Sequence, residues 1–425
     1  MTAEHNLCPQ VDEKGRLILP PELASRYGLK PGAQLHLKEL ENGLYLERPA
    51  TQLAKLYIEP TNLCNLNCRT CVRNIWEEPM GMMSDRIFDR VVEGVRSFSP
   101  LPRFFFGGSG EPLLHPKIVE MVTRAKALGV SVELITNGTL LTADLLQGLV
   151  ATGMDVLWVS IDGATPESYA DVRLGAELPR VLENLAYFRR ARFPLGIPQT
   201  QLGIVFVAMK RNIADLPAVR DIAWRLGAKR LLVTNVLPYT SDLRDEVLYS
   251  YRLQETCHFA LRQAVIMQSF RTPRVNLPRV DLDEKTRAPI FSLMSRDTSV
   301  NWDAVSSIGG GNRCPFVESG AGAVSWDGGV SPCLPLLHDC VSFLNDRERC
   351  SRHWSIGNVT EQSLADLWNT PEHLAFRWRV QAFDFPPCVL CGGCDLLDAN
   401  EKDCFGNEFP TCGACLWAQG LIQCP

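Results

Sequence analysis

Three closely spaced cysteines constrain this chain more than any other feature: Cys64-Asn65-Leu66-Asn67-Cys68-Arg69-Thr70-Cys71. They follow a short apolar stretch, Leu56-Tyr57-Ile58-Glu59, and precede the first long helical pattern. Three thiolates on one tight loop can converge on three irons of a 4Fe–4S cube. The fourth iron is then left without a cysteine and is open to a substrate or cofactor. A zinc knuckle, or three unrelated thiols, is the plainer alternative.

The remaining cysteines set the chemical context. Of 16 in 425 residues, eleven fall between Cys314 and Cys424, and only Cys8 and Cys257 stand apart as incidental thiols. Met1 to Gln10 has no apolar run like that of a secretory signal. No apolar stretch approaches the roughly 18 residues of a membrane span. So many thiols without a signal read as metal ligands in a reducing cytoplasm, not as disulfides. A formal net charge of −5 argues against broad nucleic-acid binding. Two fully ligated tail clusters need eight thiolates. The candidates are Cys314, Cys333, Cys388, Cys391, Cys394, Cys404, Cys412 and Cys415. Spacing alone does not divide them between two clusters, and a zinc ribbon is the alternative for Cys388–Cys415.

Between 54 and 238 strands and helices alternate, which implies an α/β fold on a parallel sheet with right-handed crossovers. Expected strands are Leu56–Glu59, Arg103–Phe106, Ser131–Thr136, Val156–Ile161, Gln201–Val207 and Arg230–Val236. Expected helices include Asp85–Ser97, His115–Leu128 and Leu216–Leu226. Sites on such folds gather at the C-terminal ends of the strands. There the sequence places Gly107-Gly108-Ser109-Gly110-Glu111-Pro112, Asn137-Gly138 and Ser160-Ile161-Asp162. Glycines permit close backbone approach to a ligand. Ser160 and Asp162 share one strand face. Residues 239–312 read as a partly helical bridge with a flexible joint at Gly309-Gly310-Gly311, and 313–425 as a cysteine-rich domain.

The Cys-x3-Cys-x2-Cys spacing resembles the radical S-adenosylmethionine (SAM) enzymes. That resemblance implies a partial (β/α)6 TIM barrel whose open iron chelates SAM and whose cluster electron releases a 5′-deoxyadenosyl radical. It also implies cofactor contacts from the Gly107, Gly108, Gly110 and Glu111 turn, and from Asn137, Ser160, Asp162 and Arg173, the last pairing with the SAM carboxylate. Two positions depart from the family pattern. Thr70 stands where an aromatic residue is usual, and the usual Gly-Gly-Glu turn is spread over Gly107 to Glu111. Cys314, Gly328 and Cys333 resemble the SPASM extension, which carries auxiliary 4Fe–4S clusters. The stretches Glu78-Pro79-Met80-Gly81-Met82-Met83 and Cys415 to Pro425 complete a resemblance to radical SAM maturases of tungsten-cofactor oxidoreductases. The implied partners are such an oxidoreductase and an electron donor such as ferredoxin or flavodoxin. A peptide-modifying enzyme, for example one forming a thioether crosslink, is an alternative.

Residues 1–50 form a separate short module. Lys14-Gly15-Arg16, Leu19-Pro20 and Gly28-Leu29-Lys30-Pro31-Gly32 resemble the AbrB/SpoVT swapped-hairpin family, and Asn42-Gly43 signals a hairpin. The resemblance implies a homodimer and leaves a redox-sensing DNA-binding regulator as a further alternative. Six Lys or Arg against seven Asp or Glu argue against duplex binding.

Overall fold

The computed structural model describes residues 9–40, 43–191, 200–249, 273–294, 300–301, 312–344, 346–391 and 394–425. The head carries β1 (Gln10–Val11), β2 (Leu17–Ile18), β3 (Leu37–Leu40) and β4 (Gly43–Leu46). The barrel strands are β5 (Lys55–Ile58), β6 (Arg103–Phe106), β7 (Val132–Thr136), β8 (Val156–Ser160), β9 (Gln201–Ala208) and β10 (Arg230–Asn235). Then come β11 (Arg274–Asn276), β12 (Val300–Asn301), β13 (Ala321–Val324), β14 (Gly329–Ser331), β15 (Cys340–Leu344), β16 (Arg347–Ser351) and β17 (Gly357–Asn358).

The barrel strands are short apolar runs because both of their faces are covered. Alternate side chains divide them. Leu56, Ile58, Phe104, Phe106, Leu157 and Val159 pack beneath the helices. Tyr57, Phe105, Val156, Trp158, Val205 and Leu232 point to the other face, where the tail packs. The helix Asp85–Val95 shows how the outer layer forms. The Ser84 side chain caps it by accepting from the Ile87 N–H, and Phe88, Val91 and Val95 make its buried stripe.

β5 to β10 lie side by side in chain order and all parallel, which is the expected six-unit arrangement. Two additions were not expected as strands. β11 and β12 continue the parallel sheet beyond β10, so part of the region read as a helical bridge extends the barrel wall. On the other edge β13 pairs parallel with β5, from Ala321↔Lys55 to Val324↔Ile58, and β14 and β17 follow antiparallel. The tail is therefore hydrogen-bonded into the barrel sheet. Gly309-Gly310-Gly311 lies outside the described residues. The head forms two hairpins, β1–β2 and β3–β4, and leaves Val11, Leu17, Ile18, Leu37 and Leu44 exposed. Among the described residues no helix is long and apolar enough to cross a membrane.

Candidate metal and cofactor site

The Cys64–Cys71 loop leaves the C-terminal end of β5, where barrel sites form. A neighbouring helix end and the turn that follows the loop hold its backbone. The Arg69 N–H donates to the Val172 carbonyl at 2.9 Å, and Arg73 Nη2 donates to the Leu66 carbonyl at 3.1 Å. Asn62 fixes the next stretch, donating to Pro79 O and accepting from the Gly81 N–H. Burial raises the Cys64 and Cys68 thiols above their ordinary pKa. Each thiol also has a polar neighbour: Asn137 Nδ2 is 3.9 Å from Cys64 Sγ, and Arg173 Nη1 is 3.8 Å from Cys68 Sγ.

The glycine turn after β6 abuts this loop. A Cβ on Gly110 would lie 2.1 Å from Thr61 O, and one on Gly108 would meet the Glu59 side chain at 2.7 Å. Glycine is thus required by close packing of two backbones. Glu111 is buried, and its carboxylate accepts from Thr136 Oγ1 at 2.7 Å, the Asn137 N–H at 2.7 Å and the Leu113 N–H at 3.1 Å. The Glu111 side chain thus braces the ends of β6 and β7.

Arg173 is held by an acid of its own chain. Its Nε donates to Asp162 Oδ2 at 2.6 Å, while Asp162 Oδ1 accepts from the Val207 N–H at 2.7 Å. Burial opposes the Arg173 charge, but Asp162, Cys68 and Tyr169 outweigh it and hold the guanidinium more firmly charged. The pair thus presents a fixed cation beside Cys68. Ser160 is buried at the end of β8, and Asn137 links Cys64 to Asn65 and Thr139.

The residue-type pattern did not expose a second network. Glu59, at the end of β5, accepts from the Ser109 N–H at 2.9 Å and from His338 Nε2 at 2.9 Å. His338 Nδ1 lies 2.6 Å from Glu78 Oε2, and Trp76 stacks on the ring at 4.5 Å. Burial disfavours the imidazolium, yet Glu59 and Glu78 together push its pKa up to about 9. A tail histidine is thus clamped between two acids on either side of the cysteine loop. Glu59 lies directly before that loop in sequence, which is the only signal that could have marked it.

Eight of the eleven tail thiols fall into two neighbourhoods. Cys333 is raised well above its ordinary value by burial and by Cys314, Cys415 and Cys412, and Cys412 by burial, Cys415 and Cys314. These four line one cavity of about 300 Å³, which also touches Gly108, Ser109, Trp76 and His338. Elsewhere burial, with Cys404, Asp403 and Cys394, outweighs Arg349 and pushes Cys388 up to about 11. Cys391 lies one helical turn from Cys388. Two groups of four thiols suit tetrahedral zinc or an iron–sulfur cube equally well. Cys424 lines the same cavity as the first group, accepting from Trp417 Nε1 at 3.3 Å beside Lys55.

Comparison with known proteins decides the chemistry. Residues 58–207 match the model of the radical SAM superfamily, and residues 314–395 that of SPASM, an iron–sulfur cluster-binding domain. The chain is 30% identical over 374 residues to the tungsten-containing aldehyde ferredoxin oxidoreductase cofactor-modifying protein of Pyrococcus furiosus. That match covers 87% of this chain and 96% of the relative. Identity to the AdoMet-dependent heme synthase of Methanosarcina barkeri is 27%, over 83% of this chain and 94% of that one. Among solved structures, Streptococcus suis SuiB bound to S-adenosylmethionine superposes with a TM-score of 0.54 at 16% identity, covering 82% of this chain and 72% of SuiB. With a three-cysteine loop at the barrel mouth and a matching iron–sulfur tail, the chain belongs to the radical SAM superfamily, as an enzyme carrying a SPASM domain.

Proposed function

We propose that this enzyme matures a partner oxidoreductase or its tungsten cofactor. The observation that carries the reading is the relative of that description, matched along 96% of its length. In this reading Cys64, Cys68 and Cys71 hold the core cluster. Cys314, Cys333, Cys412 and Cys415 hold one auxiliary cluster, and Cys388, Cys391, Cys394 and Cys404 hold another. When bound, the core cluster and SAM supply reductive cleavage of a sulfonium and a radical that abstracts hydrogen from a substrate carbon.

The chain's own residues provide the setting. Arg173, fixed by Asp162, places a positive charge beside Cys68 and offsets thiolate charge there. Tyr57, Phe105 and Phe316 line the cavity and exclude water from a reactive radical. That cavity touches both the glycine turn and the buried tail thiols, so a substrate in it would lie between the core and auxiliary sites. Electrons would come from a ferredoxin or flavodoxin, and the head would pair two chains.

The test is anaerobic turnover with SAM, reductant and the cofactor-free or immature partner oxidoreductase. The partner should stimulate 5′-deoxyadenosine formation and gain activity. Stimulation by a cysteine-rich precursor peptide, with no effect of the oxidoreductase, would replace this reading by the peptide-modifying one.

A further inference from the structure

Arg377 lies in the helix Pro371–Ala382, which packs on the Pro315–Glu318 turn that follows Cys314. It is fully buried. Its Nε donates to the Ala50 carbonyl at 2.8 Å, and the Trp368 ring lies 4.3 Å from its guanidinium carbon. Nη1 and Nη2, however, are buried with no hydrogen-bond partner among the described residues. No carboxylate there pairs with this cation. Burial disfavours its charge and lowers its pKa to about 9; Cys314 and Cys333 act in the opposite sense, and the neighbouring Arg48 disfavours the charge further.

A buried guanidinium with most of its donors unpaired is costly, and such charges persist when a compensating group is present. A second buried arginine also acts on this thiol group. Arg349 donates to the Ala399 and Leu397 carbonyls and acts electrostatically on Cys415, Cys388 and Cys412. Two buried arginines, one with its Nη donors unpaired, thus act on the group of Cys314, Cys333, Cys412 and Cys415.

We propose that Arg377 is a positioning residue for the auxiliary cluster held by Cys314, Cys333, Cys412 and Cys415, compensating its negative charge and favouring its reduced form. The proposal rests on the ligand set assigned above. Reduction adds one electron and breaks no bond, so the added negative charge is stabilised by a nearby fixed cation. Net charge and hydrogen bonding at the sulfurs are among the factors that set such potentials. Arg377 therefore poises this cluster to accept an electron.

The experiment is an anaerobic redox titration of reconstituted full-length protein, followed by electron paramagnetic resonance, comparing wild type with Arg377→Met and Arg377→Lys. Arg377→Met should make one auxiliary cluster at least tenfold harder to reduce at fixed potential, about 59 mV for one electron. The core signal should not move. Arg377→Lys, which keeps the charge, should recover most of the shift. In metal-free protein Arg377→Met should raise the melting temperature, because an uncompensated buried charge is gone. If Arg377→Met does not fold, Arg377→Gln removes the charge but keeps an N–H donor, and the same loss is expected. Unchanged potentials with full iron content would overturn the role of Arg377 alone. Zinc in place of iron at these four thiols would overturn the ligand assignment and, with it, the proposal.

Discussion

Single side chains show where residue type was informative and where it was not. Cysteine spacing marked both metal regions, because ligation demands thiols in close sequence or at loop ends. The partner of an arginine cannot be read the same way. Arg173 pairs with Asp162 of its own chain, which its residue type did not announce. His338 gave no signal at all, since Glu59 and Glu78 reach it across about 260 residues or more. This clamp has a pH signature. Its folded pKa is raised to about 9, so the stability it contributes is complete below the ordinary histidine value of about 6.5. That stability is lost as pH rises through about 9. Urea unfolding of metal-free protein from pH 6 to 10 should show wild type losing its advantage over His338→Gln across that window. Parallel profiles would remove the clamp.

At the level of elements, the six barrel strands were legible because each is an apolar run between turn residues. β11, β12 and β13 were not. The first two have three and two residues, and β13 reads Ala321-Gly322-Ala323-Val324, with little strand character of its own. Tertiary packing explains its composition: a Cβ on Gly322 would lie 2.6 Å from the Trp368 ring. The same reasoning gives a prediction for the turn after β6. Gly110→Ala places a methyl group 2.1 Å from Thr61 O, a main-chain atom that cannot step aside without moving the cysteine loop. We expect SAM cleavage to fall at least tenfold and core iron to be lost, with tail iron retained. Wild-type turnover by Gly110→Ala, measured as 5′-deoxyadenosine per minute, would show that the two backbones are not coupled.

Across the whole molecule, the tail closes one edge of the barrel sheet, and the head meets the tail at its boundary. Arg377 donates to Ala50 O and Gln381 Nε2 donates to Arg48 O at 2.7 Å, so residues 48–50 belong structurally to the tail interface. The earlier hairpins are different. They expose Val11 and Leu44 at 68% each, in a segment too short for a robust core of its own. We propose that a second chain covers these residues, so the full-length protein should be a dimer and removal of residues 1–46 should yield a monomer that still cleaves SAM. Light scattering on both proteins measures this, and a full-length monomer would discard the pairing.

The central claim is that three thiols on one loop create the catalytic centre while the tail thiols serve separate clusters. Its most direct measurement is 5′-deoxyadenosine formation by anaerobically reconstituted protein given SAM and a strong reductant. Wild type should form it. The variant carrying Cys64→Ala, Cys68→Ala and Cys71→Ala together should form none while still binding about eight irons, the content of two 4Fe–4S tail clusters. Continued formation of 5′-deoxyadenosine by the triple variant would contradict the account.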